Sequence, residues 1–80
     1  MHYTYIVQSA RDNKFYIGQT NNLKQRLKEH NSGLVRTTKN RKPLKLVYYE
    51  TYNTRKEAVD REKYFKTHKG WNERKKLLKL

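Results

Sequence analysis

The spacing of apolar and polar residues along the chain predicts three strands. Residues 2–8 (HYTYIVQ), 15–18 (FYIG) and 43–52 (PLKLVYYETY) are rich in aromatic and β-branched side chains, which is typical of strands. Residues 10–14 (ARDNK) supply turn-forming side chains between the first two, so these strands are expected to form an antiparallel hairpin. Gly18 ends the second strand, at a point where we expect a side chain to obstruct a neighbour.

Capping residues and a helical spacing of apolar positions predict the first helix. Asn21 or Asn22 can accept a hydrogen bond from the first helical turn, Leu23–Asn31 follows, and Gly33 is a helix stop. The basic run 35–43 (VRTTKNRKP) has no apolar period, which indicates a loop.

Two further helices are predicted in the last third of the chain. Residues 54–57 (TRKE) have the pattern of a capping box, which predicts a helix over about Arg55–Thr67. The tripeptide 68–70 (HKG) is expected to break this helix, and a last helix over Trp71–Leu80 follows. The order β-β-α-β-α-α predicts an α+β fold, with a three-stranded antiparallel sheet flanked by helices, in one domain over residues 1–80.

The composition restricts the classes of protein to which the chain can belong. Its 80 residues suffice for one modest core, and the absence of cysteine excludes disulfides and thiolate metal sites. No stretch approaches the ~20 apolar residues of a membrane span, and the N-terminus lacks the apolar run of a signal peptide. We therefore expect a soluble protein of the cytoplasm, with no membrane partner.

The net charge is the most informative part of the composition. Twenty lysines and arginines against seven acids give a net charge of +13. Such an excess repels itself in the folded state unless a polyanion neutralises it. We expect nucleic acid as that partner rather than an anionic membrane surface. A solubilising coat of lysines would have the same composition.

Polar side chains fall on the apolar faces of two predicted helices. At about 100° per residue, His30 lies on the stripe formed by Leu23 and Leu27, and Arg26 lies along its edge. A guanidinium keeps its proton, so partial burial of Arg26 requires an anionic partner. Glu62 lies in the middle of the apolar face of the second helix, where a carboxylate is costly unless it is paired or metal-bound. Glu62 is thus either half of a structural ion pair, with Arg26 or a lysine, or part of a site.

These residues and two tyrosines resemble the motifs of the GIY-YIG nuclease superfamily. Tyr3-Thr4-Tyr5 stands where the family has its first tripeptide, without the glycine, and Tyr16-Ile17-Gly18 matches the second. The run 26–31 (RLKEHN) is similar to the family's R-L-x-x-H-N, and 61–65 (REKYF) to the setting of its metal-binding glutamate. The resemblance covers nearly the whole chain. It is strongest to the small standalone subgroup, which is similar to the nuclease domain of the excision-repair C subunit.

The resemblance implies a metal-dependent endonuclease that hydrolyses phosphodiester bonds in DNA, with weak sequence preference and a role in DNA repair or recombination. It assigns catalytic roles to Tyr5, Tyr16, Arg26, His30 and Glu62, with Glu62 as the ligand of Mg²⁺ (or Mn²⁺). A tyrosine is favoured as the general base, and its pKa of about 10 would have to be lowered by nearby cations. His30 is the third candidate, which would accept the proton of the attacking water or position a tyrosine.

Basic residues outside these motifs are candidates for contacts with the phosphate backbone, which position a strand without reading its sequence. The candidates are Lys24, Arg36, Lys39, Arg41, Lys42, Arg74, Lys75 and Lys76. The same residues could equally form a solvated charged face.

Two other functions remain open. The first is a nucleic-acid-binding module of the same fold, whose cleavage is weak, lost or dependent on a protein partner for targeting; the lack of a separate targeting domain in 80 residues favours it. The second is a small basic ribosome-associated protein, which explains the charge but not the inward-facing Glu62. Metal-dependent cleavage separates the endonuclease from both.

Overall fold

The computed structural model describes residues 1–80 and contains six regular elements in the predicted order β-β-α-β-α-α. The strands are β1 (His2–Ser9), β2 (Phe15–Thr20) and β3 (Leu44–Tyr52), and the helices are α1 (Leu23–Asn31), α2 (Arg55–Phe65) and α3 (His68–Leu77). None of the three helices has the length and apolar character needed to cross a membrane.

The three strands form one antiparallel sheet in the order β2-β1-β3, so β1 is the central strand. A tight turn joins β1 to β2; Asn13 has a φ of 60° there, and the Lys14 N–H donates to Asp12 Oδ1. The pairing of β1 with β3 has one shift of register, between Ile6 and Val7. The predicted hairpin and the predicted α+β class are therefore confirmed.

One face of the central strand is covered by α1. Neighbouring side chains of a strand point to opposite sides of the sheet, so Tyr5 and Val7 share a face. They form a buried cluster with Leu44, and Leu23 and Leu27 of α1 pack against it. The apolar stripe predicted for the first helix is thus the surface that α1 presents to the sheet.

The other face of the central strand is covered by α2. The Thr4 hydroxyl donates to the carbonyl oxygen of Ala58 over 2.7 Å, which ties β1 to the middle of α2. Thr4, Ile6, Ala58 and Phe65 have no exposed surface. α3 packs on α2. The sheet therefore lies between one helix on one side and two on the other.

The start of the last helix was predicted wrongly. Residues 68–70 form the first turn of α3 and are not the break between the helices, because α2 already ends at Phe65 and the Thr67 side chain accepts a hydrogen bond from the Gly70 N–H and caps α3. Gly70 is buried against the end of α2, and a Cβ on it would lie 2.8 Å from the Cα of Phe65. This glycine permits close packing of two helices rather than ending one.

A carboxylate on β3 joins the sheet to both helices of the second face. Glu50 accepts hydrogen bonds from the hydroxyls of Tyr48 (2.6 Å) and Tyr52 (2.5 Å), and from two nitrogens of Arg61 on α2 (2.8 and 3.1 Å). Arg61 also pairs with Glu73 of α3. Burial disfavours ionisation of Glu50, but the hydrogen bonds from Arg61 and from the tyrosines outweigh it and hold the Glu50 pKa below its usual value.

A glycine on β2 makes room for a tyrosine on β1. Gly18 pairs with Tyr5 across the two strands. A Cβ on Gly18 would overlap the Tyr5 hydroxyl and lie 2.6 Å from the ring carbon Cζ, so the ring lies across bare backbone. The prediction that a side chain at Gly18 would obstruct a neighbour is confirmed, although β2 continues to Thr20 rather than ending at the glycine.

Replacing Glu50 by glutamine should lower the free energy of unfolding by about 2 kcal/mol, because Arg61 loses the more buried of its two anionic partners. Urea unfolding at pH 7 measures this. The matched control is Asp60→Asn, which breaks an exposed ion pair with Lys56 and should cost less than about 0.5 kcal/mol. Because folding lowers the Glu50 pKa, the difference between wild type and Glu50→Gln should shrink as the pH falls below the ordinary glutamate value of 4.5. A constant difference down to low pH would contradict the role of this carboxylate.

Gly18→Ala should destabilise the protein by about 1 to 3 kcal/mol through overpacking against Tyr5. The shorter side chain of Tyr5→Leu removes the overlap, so the cost of Gly18→Ala should largely vanish in that background. Urea unfolding of the wild type, both single variants and the double variant measures the coupling. Additive free energies would show that the alanine is accommodated without touching Tyr5.

Candidate active site

The hydroxyl of Tyr5 is the centre of a hydrogen-bonded group at the interface between β1 and α1. It lies 2.8 Å from Nε2 of His30 and accepts a hydrogen bond from Nε of Arg26 over 3.2 Å. Tyr5 and His30 are each only 3% exposed, and their rings meet edge to face with centroids 5.6 Å apart. Three of the five predicted catalytic side chains are therefore in direct contact.

The first helix places Arg26 and His30 beside the tyrosine. Asn22 begins α1 by accepting the Gln25 N–H over 3.1 Å, which fixes where the helical turns fall. Residues four apart lie on the same side of a helix, so Arg26 and His30 both approach Tyr5. The prediction that His30 lies on the apolar stripe, with Arg26 at its edge, agrees with their positions.

The second nitrogen of the His30 ring is also engaged. Nδ1 lies 2.7 Å from Oγ1 of Thr38, a residue of the loop between α1 and β3. Thr38 is fully buried, and its hydroxyl also lies 3.5 Å from the carbonyl oxygen of Val35. Both ring nitrogens therefore have protein partners within a buried environment.

Arg26 connects the buried group to an open cleft. Its NH1 nitrogen pairs with Glu29 at 3.0 Å, which supplies the anionic partner that its partial burial requires. Arg26 also lines a polar cleft of about 410 Å³ between the start of α1, the end of β2 and the start of α2, where Arg55 is a second cation. The guanidinium side chain is 38% exposed, so it can bind an anion that enters this cleft.

Glu62, the predicted metal ligand, lies on α2 and acts on the group through its charge. Its side chain is 22% exposed and pairs with Lys66 at 2.8 Å, one turn further along α2. The Glu62 charge acts on the Tyr5 hydroxyl and contributes to the raised pKa of that tyrosine. No three His, Asp or Glu side chains cluster in a way that could hold a metal ion. Glu29 also acts on Tyr5 but is held by Arg26, whereas Glu62 is held only by an exposed lysine and could bind a metal ion together with water and phosphate oxygens.

The second predicted tyrosine is held elsewhere. The Tyr16 ring packs against the cluster of Tyr5 and Val7, but its hydroxyl donates to Asp12 Oδ2 (2.8 Å) and accepts from Arg41 Nε (3.2 Å). These partners belong to the β1–β2 turn and to the loop after α1. The structure therefore does not join the Tyr16 hydroxyl to the group of Tyr5, Arg26 and His30.

The expectation that nearby cations lower a tyrosine pKa is wrong for both tyrosines. Burial raises the pKa of Tyr5, and Arg26 offsets only part of this effect, while Glu62 and Glu29 add to it. Burial and the hydrogen bond to Asp12 raise the pKa of Tyr16. Burial, followed by the charge of Arg26, lowers the pKa of His30 below its usual value. The neutral forms of Tyr5 and His30 are therefore favoured together at neutral pH.

The basic candidates for phosphate contacts have different positions. Lys24 is exposed on α1, Lys75 and Lys76 are exposed on α3, and Arg36, Lys39, Arg41 and Lys42 are exposed in the loop before β3. Arg41 is also paired with Asp12 at 3.0 Å. Arg74 is 8% exposed and stacks on the Trp71 ring, with its Cζ 4.4 Å from the centroid. Its guanidinium is thus inside the protein and is not part of a surface track.

Two of the loop lysines share a cleft with an arginine that the sequence did not single out. Arg11, Lys39 and Lys42 line a polar cleft of about 350 Å³, together with Ser32, Gly33 and Asn40. None of these three cations forms an ion pair, and no acid lines the cleft. We call this group of six residues the basic cleft.

Sequence reasoning missed two polar residues that organise the candidate site, Thr38 and Asp12. Thr38 lies in a basic run without periodicity, which predicted only a loop. Asp12 was identified as a turn residue, and Tyr16 lies four residues away across the same predicted turn, but Arg41 reaches both from a loop that only the fold brings close. Neither the contact of Arg41 nor that of Thr38 has a local signal in the sequence.

Comparison with known proteins identifies the family of this chain. Residues 1–76 match the family model of the GIY-YIG catalytic domain. A UPF0213 protein of Clostridium perfringens is 45% identical over 67 residues, which cover 82% of this chain and 71% of that protein. A UPF0213 protein of Staphylococcus saprophyticus is 40% identical over 80 residues, which cover 99% of this chain and 92% of that protein.

A solved structure is similar to the fold. The solution NMR structure of a UPF0213 protein from Bacillus halodurans has a TM-score of 0.57 and 29% sequence identity, and the match covers 95% of this chain and 83% of that one. The small size of these relatives agrees with the predicted standalone subgroup. The chain therefore belongs to the GIY-YIG family, and its fold is of the nuclease type.

Proposed function

We propose that the protein is a divalent-metal-dependent endonuclease that hydrolyses the phosphodiester backbone of DNA with weak sequence preference, in DNA repair or recombination. The observation that carries this proposal is the contact of buried Tyr5 and His30 with Arg26, which lines a polar cleft, with the charge of Glu62 acting on the tyrosine. The likeness to the excision-repair nuclease domain favours DNA over RNA.

Arg26 is the residue that would bind the scissile phosphate. It is fixed by Tyr5 and Glu29 and faces a cleft that also contains Arg55, so an anion entering there meets two guanidinium groups and competes with the Glu29 carboxylate for Arg26. A guanidinium held in this way stabilises the negative charge that develops on the non-bridging oxygens during attack at phosphorus.

Glu62 is the residue that would hold the metal ion. One carboxylate, together with waters and phosphate oxygens, is an ordinary set of ligands for Mg²⁺, and Mn²⁺ accepts the same set. The present partner of Glu62 is Lys66, whose side chain is 56% exposed and can move away into solvent. When bound, the ion would polarise a phosphoryl oxygen and favour departure of the leaving oxygen.

Tyr5 is the candidate for the base that takes a proton from the attacking water. Its hydroxyl lies between the guanidinium that would bind the phosphate and an imidazole with a lowered pKa. Tyr16 is a weaker candidate, because its hydroxyl is occupied by Asp12 and Arg41.

The basic cleft would bind phosphates away from the cut. Arg11, Lys39 and Lys42 supply three unpaired cations, and contacts of this kind fix a strand without discriminating between bases. This arrangement supports weak sequence preference.

Purified wild-type protein should nick supercoiled plasmid in Mg²⁺ and not in a chelator. Glu62→Gln should lower the nicking rate by at least about 100-fold, because it removes the charge that would hold the metal ion. Asp60→Asn is the matched control, since it removes one acid from the exposed face of the same helix and should leave the rate unchanged. Gel electrophoresis of nicked and supercoiled plasmid measures the rates.

Two results of the plasmid assay would count against the proposal. Equal nicking by wild type and Glu62→Gln would mean that the choice of ligand is wrong or that a contaminant cuts. No nicking by any protein, with salt-sensitive DNA binding intact, would favour a binding module whose cleavage is lost or depends on a protein partner.

Replacing both Lys39 and Lys42 by glutamine should weaken DNA binding and reduce the slope of log K against log salt by about 2, as expected for two lost phosphate contacts. Fluorescence anisotropy with a labelled duplex over a range of salt concentrations measures the slope. Lys56→Gln with Lys69→Gln is the matched control, because it removes the same charge from α2 and α3. If both pairs changed the slope equally, binding would follow net charge and not the basic cleft.

A further inference from the structure

A continuous chain of hydrogen bonds runs from the polar cleft to the loop after α1. Arg26 Nε lies 3.2 Å from the Tyr5 hydroxyl, which lies 2.8 Å from His30 Nε2. On the other side of the ring, His30 Nδ1 lies 2.7 Å from Thr38 Oγ1, which lies 3.5 Å from the Val35 carbonyl oxygen. Tyr5 and His30 are each 3% exposed, and Thr38 is not exposed at all. Within this buried chain, every hydrogen needs an acceptor that the protein supplies.

The direction of the hydrogen bonds follows from the first donor. A guanidinium can only donate, so the Tyr5 oxygen accepts from Arg26. The single Tyr5 hydrogen then has His30 Nε2 as its acceptor, which requires a lone pair on that nitrogen. The proton of a neutral imidazole is then on Nδ1 and is donated to Thr38 Oγ1, whose own hydrogen points to Val35.

The opposite direction is less favourable. If Thr38 donated to Nδ1, the proton of His30 would be on Nε2 and would be donated to the Tyr5 oxygen. The Tyr5 hydrogen would then have no acceptor among the protein groups that its hydroxyl contacts. A buried hydroxyl without an acceptor is costly, so the arrangement that begins at Arg26 is preferred.

We propose that Thr38 is a positioning residue that holds neutral His30 with its proton on Nδ1, so that Nε2 can take the proton of Tyr5 when Tyr5 takes one from the attacking water. The water O–H bond breaks and its proton goes to the Tyr5 oxygen, while the Tyr5 O–H bond breaks and its proton goes to Nε2. The products are a hydroxide, neutral Tyr5 and an imidazolium; after the attack the imidazolium proton passes back through Tyr5 to solvent water, and the leaving oxygen takes a proton from solvent. This inference rests on the proposed function for its chemical step alone.

The charges around the group agree with this order of events. Burial and Arg26 disfavour the cationic form of His30, so its Nε2 lone pair is available before the reaction, and Glu29 opposes this effect. Burial raises the Tyr5 pKa, with Glu62 and Glu29 adding to the effect of burial. Tyr5 therefore has no standing negative charge, and it can act as a base only by passing its own proton on.

The test combines a structural measurement with kinetics on wild type, Thr38→Val and Thr38→Ser. ¹⁵N-edited NMR of the histidine rings should show His30 protonated on Nδ1 in the wild type and in Thr38→Ser. Thr38→Val has nearly the same shape but no acceptor, so the buried Nδ1–H of His30 loses its partner and the fraction of His30 protonated on Nδ1 should fall. The nicking rate at saturating DNA should fall by about 10- to 100-fold in Thr38→Val and recover in Thr38→Ser, with the KM for DNA unchanged.

The pH profile separates positioning from simple loss of packing. The wild-type rate should fall in acid as His30 becomes protonated, with a midpoint below the usual histidine value of 6.5. In Thr38→Val this limb should move, because the hydrogen bond to Nδ1 no longer contributes. A rate that falls uniformly at every pH, with the same limb, would overturn the positioning role.

Two further outcomes decide between parts of the argument. A wild-type His30 protonated on Nε2 would overturn the proposal, and this result stands even if Thr38→Val fails to fold. A protein whose His30 is protonated on Nδ1 in the wild type and less so in Thr38→Val, but that cuts no DNA with any divalent metal ion, would support the role of Thr38 in fixing the tautomer and would count against the proposed function instead.

Discussion

Tyr5 lies in the central strand and is covered by α1 on one side, so its large ring can fit only where the neighbouring strand has no side chain. Gly18 supplies that space on β2. The same fit brings the tyrosine hydroxyl to the point where Arg26 and His30 reach it from α1. Packing and chemistry thus depend on one contact, because the group that orders the first face of the sheet is also the centre of the candidate active site.

The few acids of this strongly basic chain are all used for specific contacts. Glu50 and Glu73 hold Arg61, Glu57 completes a capping box, and the others pair with single cations: Asp12 with Arg41, Glu29 with Arg26, Asp60 with Lys56 and Glu62 with Lys66. Most of the 20 basic side chains therefore have no ion pair. The unpaired cations are available to a polyanion. The seven acids are placed in ion pairs and a helix cap, where each of them contributes to the stability of this basic protein.

The parts of the structure that the sequence predicted are those with local signals. Helix α1 begins after Asn22, and α2 follows the capping box at Thr54, as predicted. The position of His30 followed from helical periodicity alone. The contact of Thr38 with His30 and the contact of Arg41 with Tyr16 could not be predicted, because Thr38 and Arg41 lie in a loop that only the fold brings to those side chains. A glycine in the first turn of α3 was misread as a break for the same reason, since its packing partner lies on α2.

The fit of Tyr5 over Gly18 also limits how this sequence can vary. The two positions lie on different strands, and neither can be changed in size without affecting the other. A relative with a side chain at the position of Gly18 must have a smaller residue at the position of Tyr5, and would then have no phenol at the centre of its site. Covariation of these two positions therefore distinguishes relatives that keep the tyrosine-centred group from those in which the same fold serves another purpose.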